Sequence, residues 1–156
     1  MEGIETFQRL ITQVTDHIGD RPLDAALQEH LRHNVPYDGE LCQAIFQACR
    51  QGIAEGWMCQ HEHGGIRYGR VLKPTDDRGG YSVDVVDMDD IAGPHHRHPD
   101  GEIDLIMPLD GTAQFDGHSA GWLVYGPDTA HSPTVTSGRA LVLYLLPQGQ
   151  IEFTRR

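Results

Sequence analysis

Beyond Gly56 the chain is cut about every ten residues by glycine, proline or Asp–Gly, and the runs between the cuts are rich in β-branched and aromatic residues. They read IRYGRVL, YSVDVVDM, EIDLIMPL, TAQFDG, GWLVYG, ALVLYLL and IEFT. Such runs are too short for long helices and suit strands joined by tight turns. They predict a mainly β chain, built as an antiparallel sandwich or barrel.

The first third has a different period. Ile4, Phe7, Ile11, Val14 and Ile18 recur at three- and four-residue steps, which makes one apolar helical stripe. A second helix is expected with Asp20 as its cap, Pro22 in its first turn, Leu23, Leu27 and Leu31 on one face, and Pro36 at its end. A third should start from Asp38, turn Leu41, Ile45, Ala48 and Cys49 inward, and close near Gly52 or Gly56. The expected organisation is a helical segment over residues 1–56, packed on a β-barrel over residues 57–156.

Composition removes several classes of function. The net charge is −11 and the 12 Lys and Arg form no basic run, so neither a nucleic acid nor an anionic membrane is an expected partner. Three cysteines without a CxxC pair give no disulfide framework and suit a reducing compartment. No apolar run approaches the ~18 residues of a membrane span, and MEGIETFQRL lacks a signal-peptide core. A soluble, cytoplasmic protein is expected.

The chemistry concentrates in GPHHRHPDGEIDLIMPLDG, residues 93–111. On an extended strand His96 and His98 point to the same face, so both imidazoles can reach one point. Glu102 follows after a tight PDG turn, and its carboxylate can return to that point. Asp104 shares a face with Glu102 and is the alternative acidic ligand. His131, in YGPDTAHSPTV, is a fourth donor from a later strand. Two histidines, a carboxylate and a distant histidine suit a divalent ion with open positions, whether Zn, Fe, Mn, Ni or Co. His95 and Arg97 should point away from the metal side. His61, His63 and His118 are expected in polar loops or turns, and His17, His30 and His33 on the surface.

The pattern H-x-H-x3-E, then Gly111, then Gly121, Pro127 and His131, resembles the two motifs of the cupin superfamily. It departs from them in spacing. Eight residues separate Glu102 from Gly111 where the motif has six, His131 arrives one residue early, and the final asparagine is absent. Residues 66–153 are similar to the 4-hydroxylaminobenzoate lyase family. The resemblance implies a cupin double-stranded β-helix. It also implies conversion of 4-hydroxylaminobenzoate to 3,4-dihydroxybenzoate (protocatechuate) with loss of ammonia, within nitroaromatic degradation. Cupins commonly pair through edge strands, so a homodimer is expected.

A benzoate needs a cation for its carboxylate. Arg70 is the expected partner, with Tyr68 beside it on the pocket-facing side of the same strand. Trp122, Tyr125, Tyr144, Phe115 and Tyr81 are available as aromatic walls. Small barrels fill with such side chains, so core packing competes with substrate contact at each; Tyr144 is carried forward as a substrate contact. Glu102, Asp104 and His131 are the acid–base candidates. Two alternatives stand beside the lyase. One is a non-haem iron dioxygenase acting on an aromatic acid, and the other is a cupin that binds a small acid without turnover.

Overall fold

The computed structural model describes residues 2–154, without the side chain of Glu2, so the outermost residues of the two expected segments, 1 and 155–156, lie outside the described residues. Three helices lead: α1 (Glu2–Ile18), α2 (Ala25–Asn34) and α3 (Glu40–Glu55). The predicted stripe of α1 is its buried face, with Phe7, Ile11, Val14 and Ile18 fully covered. Two caps differ from expectation. Asp24, not Asp20, caps α2, its carboxylate accepting the Leu27 N–H at 2.9 Å. Asp20 and Pro22 stand before the helix, where Gly19 has already turned the chain out of α1 at φ 55°. Gly39, not Asp38, caps α3 and makes no side-chain cap bond. Gly56 ends α3 in the left-handed region, as the sequence suggests.

Ten strands follow: β1 (His61–His63), β2 (Ile66–Leu72), β3 (Tyr81–Ala92), β4 (His96–His98), β5 (Glu102–Pro108), β6 (Gln114–Phe115), β7 (Gly121–Tyr125), β8 (Thr129–His131), β9 (Thr134–Pro147) and β10 (Glu152–Phe153). All pairings are antiparallel. One sheet runs β1-β2-β3-β9-β5-β7, with β6 paired to β9; a small one runs β10-β4-β8. The two sheets give the mainly β, double-sheet architecture that the sequence predicts.

The pleat of the large sheet divides its side chains between two cores. Val83, Val85, Leu141, Leu143, Leu145, Ile103, Leu105 and Trp122 face outward and pack against the helices in one continuous apolar cluster. Trp122 is fixed there by an Nε1–H bond to the Val35 carbonyl at 2.8 Å. Burying a side chain of this kind contributes roughly 1.5–3 kcal/mol, so the helices complete the fold on that face. Met88, Ile106, Leu123, Val142, Tyr144 and Leu146 face inward with Phe115 and Val135, and line the barrel interior. A register shift between Arg70 and Leu72 sends Leu72 to the outer core while Ile66 stays with the inner one.

Candidate metal centre and active site

The small sheet supplies the imidazoles. Residues directly opposite in antiparallel strands share a face. His96 is paired with His131 on one side and Phe153 on the other, so the three side chains project together, joined by His98 two residues along. Arg97 takes the opposite face and pairs with Asp128 and, at 3.2 Å, Glu152. The PDG turn then reverses the chain from β4 into β5. Gly101 is required in it: its φ is 93°, and a Cβ there would stand 2.7 Å from the Tyr125 carbonyl oxygen. The turn delivers Glu102 from the large sheet opposite the histidines.

The Nε2 of His96 lies 2.9 Å from that of His98 and 3.1 Å from that of His131. Glu102 oxygens stand 3.6, 3.3 and 3.7 Å from the Nε2 atoms of His96, His98 and His131. The four donor atoms lie within 4.8 Å of one another. His96, His98 and Glu102 are buried and His131 nearly so.

The hydrogen bonds orient these donors. Thr129 Oγ1 donates to the Gly126 carbonyl at 2.7 Å, so it accepts from His98 Nδ1–H at 2.9 Å. The Asp116 carboxylate accepts from His131 Nδ1–H at 2.6 Å. With Nδ1 protonated in both rings, the lone pairs sit on Nε2 and point at the shared spot. Both oxygens of Glu102 are buried without a hydrogen-bond partner. Converging lone pairs beside an unpartnered carboxylate are donors lacking an acceptor, and a divalent cation supplies one. At a metal–nitrogen distance of about 2.1 Å, two nitrogens at a right angle stand about 3.0 Å apart, which agrees with the spacings seen here. The residues therefore fit a metal ion.

Two carboxyls share the interior. Burial alone would raise Glu102, but the adjoining His96 and His98 imidazoles outweigh it and bring the carboxyl down to about 2. Burial and the neighbouring Glu102 charge push Asp104 well above the usual carboxylate range, the opposite direction to Glu102. Asp104 is not in the four-donor cluster.

Asp116 is a residue that sequence reasoning missed. Its FDG stretch reads only as a strand break, yet the carboxylate gathers three donors: Tyr125 O–H at 2.5 Å, His131 Nδ1–H at 2.6 Å and the Thr134 amide at 2.9 Å. Burial raises Asp116, and the hydrogen bonds from His131 and Tyr125 outweigh it, leaving the carboxyl below its ordinary value. Its backbone sits in the left-handed region, at φ 50°.

The expected substrate residues fall on the interior side of the large sheet. Arg70, Asp84, Tyr144 and Asp104 form one cross-strand row, each opposite the next. Tyr68 shares the Arg70 face and lies opposite His61 of the edge strand β1, the two rings tilted with centroids 5.6 Å apart. Arg70 is partly committed: Nε donates to Asp84 at 2.8 Å and Nη2 to the Gly149 carbonyl at 3.2 Å. Tyr144 is buried with its ring 6.4 Å from His96, and burial holds its phenol protonated. Phe115 and Tyr125 flank His131 at 6.1 and 4.6 Å, whereas Trp122 and Tyr81 belong to the outer core. His95 bonds Thr154 rather than joining the cluster. His61 and His63 form an exposed short strand instead of a loop, and His118 is exposed.

Three imidazoles and one carboxylate thus meet at a single buried point between the two sheets, a cluster able to hold a metal ion. The chain belongs to the 4-hydroxylaminobenzoate lyase family (PnbB), whose model matches residues 9–153. It is 29% identical over 153 residues to a 4-hydroxylaminobenzoate lyase of Pseudomonas putida, covering 87% of each chain. A protein of the same name from Nocardioides sp. (strain LMS-CY) is 29% identical over 147 residues, covering 88% of this chain and 87% of that one. Among solved structures, a cupin-like protein of Thermotoga maritima matches with TM-score 0.46 at 16% identity, over 59% of this chain and 77% of its own. A DMSP lyase structure matches with TM-score 0.47 at 12% identity, over 99% of this chain and 98% of its own. Among the described residues, no helix is long and apolar enough to cross a membrane.

Proposed function

We propose that this chain converts 4-hydroxylaminobenzoate to 3,4-dihydroxybenzoate with release of ammonia, assisted by a divalent metal ion held by His96, His98, Glu102 and His131. One observation carries the reading: oriented imidazole lone pairs and a buried, unpartnered carboxylate meet at one point inside the barrel. Family membership and the name of both curated relatives support the substrate class.

The reaction balances as substrate plus one water giving the 3,4-diol plus one ammonia. The N–O bond breaks, a C–O bond forms at the adjacent ring carbon, and the C–N bond is replaced by C–O. Cleavage of the N–O bond takes up the two electrons lost by the ring, so no external oxidant enters. When bound, a divalent ion would supply Lewis-acid polarisation of an oxygen or a water of lowered pKa. Asp104, beside Glu102 on the same strand face, would serve as the general acid for the departing oxygen. Arg70 would meet the substrate carboxylate with the edge of its guanidinium not used by Asp84 and Gly149, and Tyr68 and Tyr144 would border the ring.

The test is turnover of 4-hydroxylaminobenzoate under strict exclusion of oxygen. The expected result is ammonium and 3,4-dihydroxybenzoate in equal amounts. Ring cleavage that requires Fe(II) and O2 would instead make the chain a dioxygenase. Binding of the acid without turnover in either atmosphere would make it a non-enzymatic binder.

A further inference from the structure

Two large hydrophobic side chains stand exposed among the described residues, Tyr68 at 41% and Phe153 at 67%. Phe153 has an unusual position for an exposed apolar group. It is paired with His96 across β10 and β4, so it projects from the same sheet face as the metal-cluster histidines. Its ring meets His96 edge-on, with centroids 5.9 Å apart and planes at 76°.

The backbone fixes this placement. Ile151 packs into the inner core, Glu152 turns outward to Arg97, and the Thr154 amide donates to the His95 carbonyl at 3.0 Å. Arg70 holds the preceding loop through the Gly149 carbonyl at 3.2 Å. The chain around Phe153 is thus anchored, while two-thirds of the side chain meets water beside a buried ligand. A flat apolar surface held there is suited to an aromatic ring arriving at the site.

We propose that Phe153 is the ring-contacting wall of the substrate site and determines its preference for aromatic over aliphatic acids. The proposal rests on the aromatic-acid reading above. Phe153 is a specificity residue; no proton or metal role is assigned to it.

The experiment measures KM and kcat for 4-hydroxylaminobenzoate in wild type, F153A, F153L and F153W, with the dissociation constant of the metal alone as a parallel readout. Removing a ring–ring contact should raise KM in F153A by about 3- to 10-fold, with kcat within about twofold and metal affinity unmoved. F153W should keep a wild-type KM, and F153L should recover only part of the loss. An unchanged KM in F153A would overturn the proposal. So would full recovery in F153L, which shows plain apolar contact, or a metal affinity that falls with activity, which shows a prop for His96.

Binding of 4-aminobenzoate, which has no N–O bond to break, separates this proposal from the lyase reading. Phe153-dependent binding in a wild type that releases no ammonium would sink the lyase reading and keep the ring contact. Ammonium release with KM and binding both indifferent to F153A would do the reverse.

Discussion

Replacing Asp116 by asparagine tests whether the hydrogen bonds behind His131 set its capacity to bind metal. The carboxylate Oδ2 accepts from both Tyr125 and His131, and Oδ1 accepts from the Thr134 amide. An asparagine has one acceptor oxygen and one NH2 of donors. With its oxygen toward His131, the NH2 opposes the Thr134 N–H, donor to donor. With the oxygen toward Thr134, the NH2 faces His131 Nδ1, which must then accept; the ring proton moves to Nε2 and removes the lone pair aimed at the cluster. Either orientation loses a charge-assisted hydrogen bond, worth about 1.5–3 kcal/mol. Losing support of this kind behind a ligand histidine lowers metal affinity about 10- to 100-fold, which matches that energy at about 1.4 kcal/mol per tenfold. The assay is competition for the metal against a chromophoric chelator at neutral pH, with far-UV circular dichroism confirming that D116N is folded. A folded D116N that binds metal within about twofold of wild type would mean that Asp116 does not tune His131 as a ligand.

Three further outcomes are expected. E102Q should lose metal affinity by about 100-fold or more, while D104N should bind metal nearly as wild type and lose kcat by about 100-fold; metal titration and ammonium release on both variants distinguish ligand from acid. Trp122→Ala should lower unfolding stability by about 3–5 kcal/mol, read by urea denaturation, because Trp122 is buried and bonded to Val35 between sheet and helices. Asp87 is buried, which pushes its carboxyl up, but hydrogen bonds from Arg139 and Arg67 outweigh burial and hold it below its ordinary value. Its contribution is therefore full above the unfolded value of about 4 and lost as pH falls through the depressed folded value. Melting temperatures between about pH 2 and 5 should fall more steeply in wild type than in D87N.

The sequence made the elements legible where pattern and environment agree. The α1 stripe became its buried face, and IRYGRVL became β2 residue for residue. EIDLIMP became β5 with every residue from Glu102 to Met107 buried, including the two acids expected to turn toward the histidines. The polar positions Glu102 and Asp104 are buried rather than solvated, and the H-x-H before them was the available signal that Glu102 could join a metal cluster. The positions of Asp116 beside His131 and of Phe153 beside His96 were hidden because they come from pairing, with β6 on β9 and β10 on β4, joining residues far apart in the chain. The commitment of Arg70 to Asp84 likewise depends on the β2–β3 register. The cap positions failed at single-residue resolution because Gly19 and the Pro36–Gly39 turn reset the chain first.

In the proposed function, ammonia release depends on a metal ion held by His96, His98, Glu102 and His131. The most direct test is to strip the protein with a chelator, assay ammonium from 4-hydroxylaminobenzoate without oxygen, and add back Zn, Fe(II), Mn, Ni or Co one at a time. Activity that disappears on stripping and returns with one bound ion per chain is the predicted result. Full activity in metal-free protein would contradict it.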